Sequence, residues 1–378
     1  MTSSIRHAAG SLLVVGLGGA ELTGLERAWL RLVRPGGIIL FKRNINDAAQ
    51  TRALLDEAAG FAAAHAVRCV DVEGGTVNRL RDALAPLPSA QAVGAAARKL
   101  GKPSLAREHG ALIGRAVKAF GFNTTLAPVV DLALPEAADV LGSRPPGAAA
   151  AEVIDYARSF LEALAAQGVA GCGKHFPGLG GASGDTHFVT PSIERAWQQI
   201  WNEDLLPYRE LHAAMPMIMM NHAAYPATPG GNCPASASAF WITTILRRRI
   251  GYRGIILSDD LEMGGILRFL PVEEAAIAAI RAGSDLLEIC HSAELILRSY
   301  EAIIAEAERS KAFRMLLLAR ARETAARRRR LYAAGAARPL SGKQFESLRD
   351  RMQSFCDAIA ACEADVIQPR LTAPAETS

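Results

Sequence analysis

Apolar residues follow two alternating rhythms along this chain. Short runs rich in Val, Ile, Leu or Met recur at 12–17, 37–41, 67–70, 123–130, 169–173, 217–220, 254–257 and 285–289. Runs that are apolar at every position suit parallel strands buried on both faces. Between them lie longer segments with a helical period, at 23–33, 49–64, 105–120, 152–167, 197–213, 239–250 and 273–282. The first opens on Thr23 with Glu26 three residues on, the spacing of a capping box. In the last, Ala276, Ile277 and Ile280 form an apolar stripe with charges opposite. Gly168, Gly251 and Gly283 sit just past helix ends, where a left-handed residue is wanted. Eight strands separated by helices predict an α/β fold, a (β/α)₈ barrel. A doubly wound open sheet would need a Gly-x-Gly-x-x-Gly turn after a strand, and the chain has none.

The last third changes character. Residues 292–334 predict two long helices, the second ending in Arg327–Arg330 near Arg320 and Arg322. Cations there complement the negative pole of a helix, so a solvated helix end is expected, with an anionic partner surface as the other reading. Residues 341–367 predict one further helix. The final ten residues, with two prolines and no apolar face, are expected to be disordered. The organisation expected is a catalytic barrel with terminal helices over 1–335 and a helical extension and tail over 336–378.

Composition narrows the class. Of 378 residues, 50% are hydrophobic and 21% charged, as in a globular protein. The length admits two domains or one enlarged barrel. A net charge of +4 is too small to point to nucleic acid. The cysteines at 69, 172, 233, 290, 356 and 362 form no C-x-x-C, which argues against a zinc ribbon and fits a reducing compartment. No run of 18 apolar residues predicts a membrane span. Arg6 and His7 ahead of an apolar stretch superficially resemble a signal peptide. That stretch is brief and ends in glycines, so a buried first strand and a cytoplasmic location are expected.

In a (β/α)₈ barrel the chemistry sits at the C-terminal ends of the strands. After the third run comes Asp71-Val-Glu-Gly-Gly-Thr-Val-Asn-Arg79, two carboxylates beside paired glycines that permit a tight turn. After the fourth come Pro128-Val-Val-Asp131 and then Gly142-Ser-Arg144-Pro-Pro. A Gly/Pro-rich loop is a poor place for a core salt bridge, so Arg144 is read as a binder of substrate oxygen. The fifth run leads into Lys174-His175-Phe-Pro-Gly178, and a glycine-rich loop then carries Asp185-Thr-His187. An Asp two residues before a His can orient the imidazole and stabilise its protonated form. His222 follows the sixth run and is open between packing and substrate contact. Ser258-Asp259-Asp260-Leu-Glu-Met263 follows the seventh, with Asp259 nearer the strand and assigned to the barrel mouth. Neither a Gly-x-Ser-x-Gly elbow nor a phosphate loop is present.

Taken together, these segments resemble glycoside hydrolase family 3, and within it the bacterial β-N-acetylhexosaminidases. Asp71 to Leu80 is similar to the family's D-x-E-G-G-R-V-x-R-L, Lys174 to Gly178 to its K-H-F-P-G, Asp185-Thr-His187 to its D-S-H, and Ser258 to Met263 to its S-D-D-L-x-M. The resemblance spans roughly residues 10–335. It implies an exo-acting enzyme that removes terminal β-linked N-acetylglucosamine with retention, from peptidoglycan fragments in this subgroup. Asp259 would be the nucleophile and His187 the acid/base, held by Asp185. Asp71, Arg79, Arg144, Lys174 and His175 would bind the sugar, with His222 a further candidate. No cofactor or metal is implied. The expected partners are N-acetylglucosamine-containing saccharides, with no nucleic acid and no membrane, and a monomer or weak homo-oligomer. Leu179, Thr76 and the Gly-Ser-Arg-Pro-Pro segment depart from the family pattern, which bears on the leaving group more than on the reaction. The alternatives are a single-domain β-glucosidase of the same family, a metal-dependent barrel hydrolase lacking its His-x-His, and a catalytically silent sugar-binding barrel.

Overall fold

The computed structural model describes residues 2–182, 191–333 and 338–367. Its centre is a closed parallel barrel built from β1 (Leu13–Gly16), β2 (Gly37–Leu40), β3 (Val67–Val70), β6 (Thr124–Thr125), β7 (Ala170–Phe176), β8 (Met217–Met220), β9 (Ile255–Asp260) and β10 (Leu286–Ile289). Two short strands outside it, β4 (Val72–Gly74) and β5 (Val77–Asn78), pair antiparallel just after β3. Each barrel strand pairs with the next in the chain, and β10 closes onto β1 with Leu13 opposite Leu287. The (β/α)₈ expectation is therefore met, and each of the eight apolar runs supplies one strand. Only the fourth is much shorter than its run. Pro128 lacks an amide donor, yet the chain beyond β6 stays beside β7, where Val130 N donates to Lys174 O at 2.8 Å.

Residues alternate across the barrel wall. Val14, Ile39, Cys69, Met217, Met219, Leu257 and Leu286 fill the interior, while Leu13, Val15, Leu287 and Ile289 face the helices. That filling makes the barrel a packed core rather than a pore. Tyr332 joins the interior cluster from just beyond the helix Lys311–Leu331, its hydroxyl 2.6 Å from Thr124 Oγ1.

The local signals act as read. Thr23 caps the helix Gly24–Val33: its hydroxyl accepts from Glu26 N at 3.1 Å, and Glu26 accepts from Thr23 N at 2.8 Å. Residues 197–213 do not form one helix. They divide into Trp197–Gln199, a π-type turn over Ile200–Asp204 and Leu206–Leu211, with Pro207 in the first turn of the last. A helix at Ala90–Leu100, which the hydrophobic rhythm did not mark, packs against Ser104–Ala119. Ahead of β1, residues Thr2–Ser11 form a helix against Ala293–Arg309 and Lys311–Leu331.

The arginine-rich helix corrects an expectation. Arg247, Arg320 and Arg327 converge on the buried Asp285 carboxylate, with Arg327 Nη1 at 2.9 Å and Arg320 Nη1 at 3.4 Å. Arg328 is 1% exposed and donates to Gly36 O at 2.7 Å. Arg320, Arg327 and Arg328 of this helix thus bind the barrel base instead of forming a solvated end or a partner surface, while Arg322, Arg329 and Arg330 are exposed. The helix Gly342–Ile367 lies on Ala90–Leu100 and Ser104–Ala119 through Leu348, Met352, Phe355 and Ile359. The final ten residues lie outside the described residues. Among the described residues no helix is long and apolar enough to cross a membrane.

Candidate active site

The C-terminal ends of β3, β7, β9 and β10 open into one cavity of about 570 Å³. Asp71, Arg79, Arg144, Lys174, His175 and Asp259 all line it, although they span nearly two hundred residues of chain. The tight turn after β3 depends on glycine. Gly74 and Gly75 have φ of +96° and +59°, and a Cβ on Gly74 would lie 2.1 Å from Pro88 O. That turn carries Glu73 inward, next to Asp71 and opposite β7.

Glu73, whose side chain is 3% exposed, is the hub. Its two oxygens accept from Arg144 Nε and Nη2, both at 2.9 Å, and Lys174 Nζ approaches at 2.6 Å. Lys174 also donates to Asp71 Oδ1 at 2.9 Å. Burial alone would push the Glu73 pKa up, but Arg144 and Lys174 outweigh it and hold the carboxyl ionised far below its usual range. Burial would lower the Lys174 pKa, but Asp71 and Glu73 raise it, so the ammonium stays charged. The expectation that Arg144 would take no part in a buried salt bridge is thus overturned. The Gly/Pro-rich loop delivers it to Glu73 in a two-pronged pair, and it still faces the cavity.

His175 is fixed from behind. Its Nδ1 lies 2.7 Å from Asp131 Oδ2, and its Nε2 3.2 Å from Arg144 Nη2. Asp131 and Arg144 thus hold the ring between a carboxylate and a guanidinium. Asp131 also accepts from His175 N at 3.1 Å and Leu179 N at 2.8 Å, so one buried carboxylate orders both the imidazole and the start of the glycine-rich loop. Arg79 stands nearer solvent, 3.9 Å from Asp71 Oδ2, with a buried Nε that has no partner among the described residues.

Asp259 is the penultimate residue of β9 and accepts from Asp260 N at 2.9 Å. Burial opposes its charge, but His175, His222, that N–H and Lys174 prevail and lower its pKa. Asp260 is pushed the other way, up to about 7, chiefly by burial, with Glu262 and Asp259 adding repulsion. Adjacent carboxyls with such divergent acidities leave Asp259 as the ionised one. His222 does not line the cavity. Its Nδ1 is 2.7 Å from Ser236 Oγ and its Nε2 2.9 Å from Asp260 O, so both ring nitrogens are engaged inside the protein. It stands behind the β9 carboxylates, outside the cavity lining. Asp185 and His187 lie outside the described residues.

Sequence reading left Glu73 and Asp131 without roles. Both were visible as acids at strand ends, but a carboxylate that holds other side chains looks no different in sequence from one that holds a ligand. Glu288 was missed too, although an acid inside an apolar run was a signal.

The sequence profile of the glycosyl hydrolase family 3 N-terminal domain matches residues 5–322. This chain belongs to glycoside hydrolase family 3. A β-hexosaminidase of Idiomarina loihiensis is 35% identical over 279 residues, covering 74% of this chain and 83% of that protein. One from Chromobacterium violaceum is 36% identical over 285 residues, covering 75% and 79%. Among solved structures, a family 3 β-N-acetylglucosaminidase from Paenibacillus sp. str. FPU-7 superposes with a TM-score of 0.81 at 30% identity, covering 93% of this chain and 68% of that one. Native NagZ from Neisseria gonorrhoeae gives 0.76 at 27% identity, covering 92% and 97%. The family 3 chain is accordingly a glycoside hydrolase, and its charged cavity lies where barrel enzymes keep their chemistry.

Proposed function

We propose that this glycoside hydrolase removes terminal β-linked N-acetylglucosamine from saccharides, peptidoglycan fragments among them, by a retaining exo mechanism. The observation that carries the reading is the convergence of a buried network of charges and the ionised Asp259 on one cavity. Relatives named β-hexosaminidase and β-N-acetylglucosaminidase support the choice of sugar.

In this reading Asp71, Arg79, Arg144, Lys174 and His175 hold the sugar hydroxyls. Such charge-assisted bonds are stronger than neutral ones and fix orientation. Asp259 attacks the anomeric carbon, stabilises the oxocarbenium-like transition state and forms a covalent glycosyl-enzyme. His187, oriented by Asp185, protonates the leaving oxygen and then activates water. An imidazole with an ordinary pKa near ~6.5 can do both close to neutrality.

The test is turnover of a chromogenic N-acetyl-β-glucosaminide, followed by trapping with a fluoro sugar and peptide mass mapping. Label on Asp259 supports the reading. Label elsewhere, or turnover with inversion, overturns it.

A further inference from the structure

Glu288 interrupts the apolar run of β10. Strand alternation sends it into the barrel together with Leu286 and Cys290, while Leu287 and Ile289 face the helices. It is 2% exposed, lines the cavity, and its Oε1 has no hydrogen-bond partner among the described residues. The charged groups around it are Asp259 and Asp260 on β9, Asp71 after β3 and Lys174 on β7. Lys174 is occupied by Asp71 and Glu73. Burial first, and then repulsion from Asp259, Asp71 and Asp260, raises the Glu288 pKa far above its usual value. A carboxyl with this surrounding is a neutral acid, a donor as well as an acceptor.

Such a group costs stability, since an unsatisfied buried polar atom forfeits its hydration. A leucine of similar size would suit the apolar Ile39, Leu126 and Met219 that line the same cavity better. The acid does, however, face the space that a sugar would fill. Glu288 pairs in register with Asp260, the residue after Asp259, and lines the same cavity as Asp259, whose charge acts on it most strongly, whereas the Asp71–Lys174–Arg144 network approaches from β3 and β7. Resting on the function proposed above, Asp259 meets C1, and Glu288 meets a neighbouring substituent. The ring oxygen beside C1 gains positive charge in the transition state and is a poor acceptor. The substituent on C2 remains.

We propose that Glu288 determines specificity by donating its carboxylic proton to the carbonyl oxygen of the sugar's C2 acetamido group. A hydroxyl at C2 is too short to replace that carbonyl.

The experiment compares wild type, Glu288→Leu and Glu288→Gln on aryl N-acetyl-β-glucosaminide and aryl β-glucoside, with melting temperatures for all three. Glu288→Leu should melt at or above the wild-type temperature. It should lose about tenfold or more in kcat/KM on the acetamido sugar, the worth of one hydrogen bond of ~1.4 kcal/mol, while its glucoside rate is unchanged. Glu288→Gln retains a donor and should stay within about threefold of wild type. Equal losses on both sugars, or no loss on the acetamido sugar, overturn the assignment. If Glu288→Leu fails to fold, Glu288→Met takes its place with the same readout: a loss of about tenfold or more confined to the acetamido sugar upholds the role, and an equal loss on both sugars, or none on the acetamido sugar, refutes it. Wild type that turns over no N-acetyl-β-glucosaminide overturns the proposed function itself, and this inference with it.

Discussion

Replacing Glu73 by Gln keeps the shape of the hub and removes its charge. Arg144 then loses both of its carboxylate bonds, and Lys174 keeps only Asp71. Breaking a buried ion pair costs about 3–5 kcal/mol, because the remaining charge is left uncompensated. Asp71 still pairs with Lys174, so the lower end applies, about 3 kcal/mol. The pair is shielded from solvent, and salt should therefore change this cost little. The binding effect is separate. A displaced guanidinium and ammonium weaken charge-assisted bonds to substrate worth ~1.5–3 kcal/mol each, so KM should rise by about tenfold to a hundredfold. The Asp259 carboxylate has no direct bond to Glu73, and kcat should fall by only a few fold. Urea unfolding at low and high salt, with Michaelis–Menten analysis under the same conditions, reads both effects. Stability within ~0.5 kcal/mol of wild type together with an unchanged KM would refute the hub, since that is the range of an ordinary surface change.

Asp259→Ala should abolish turnover and leave N-acetylglucosamine binding measurable by calorimetry; surviving activity at wild-type rate rules out the nucleophile. His187→Ala should slow substrates with poor leaving groups far more than activated aryl glycosides, and an equal loss on both counts against acid catalysis. His109 is fully buried, with Nδ1 2.7 Å from the Tyr156 hydroxyl, and burial pushes its pKa down to about 3. The unfolded imidazole takes up its proton near ~6.5, so stability is present above that pH and drains away as pH falls below it. Between pH 7 and pH 5 the loss from this one group is about 2 kcal/mol, and denaturant unfolding of His109→Gln should show that much less acid sensitivity. Equal sensitivity in the variant would mean that His109 is already protonated in the fold.

Much of the fold was legible because its signals are local. Alternation across the barrel wall, the Thr23 cap and the glycines at 168, 251 and 283 each depend on residues within one or two turns of one another. Residues 197–213 were less legible, since an apolar period does not distinguish one helix from three short segments around Pro207. The site was half legible. Asp71, Lys174, His175 and Asp259 stand at strand ends, where the barrel expectation directed attention. Glu73, Asp131 and Glu288 carry the same chemistry, but their partners are distant in the chain.

Sequence alone therefore determined the barrel, the order of its strands and the family. Each follows from short-range periodicity or from contiguous motifs. Only the tertiary structure decided what each charge does. Arg144 meets Glu73 across 71 residues and Lys174 meets Asp71 across 103. Arg320 and Arg327, which read as a solvated helix end, instead neutralise a buried Asp285. The reason is electrostatic. Whether a carboxylate or guanidinium is solvated, paired or held neutral depends on the local dielectric and on the nearest opposite charge, and both exist only once the chain has closed on itself.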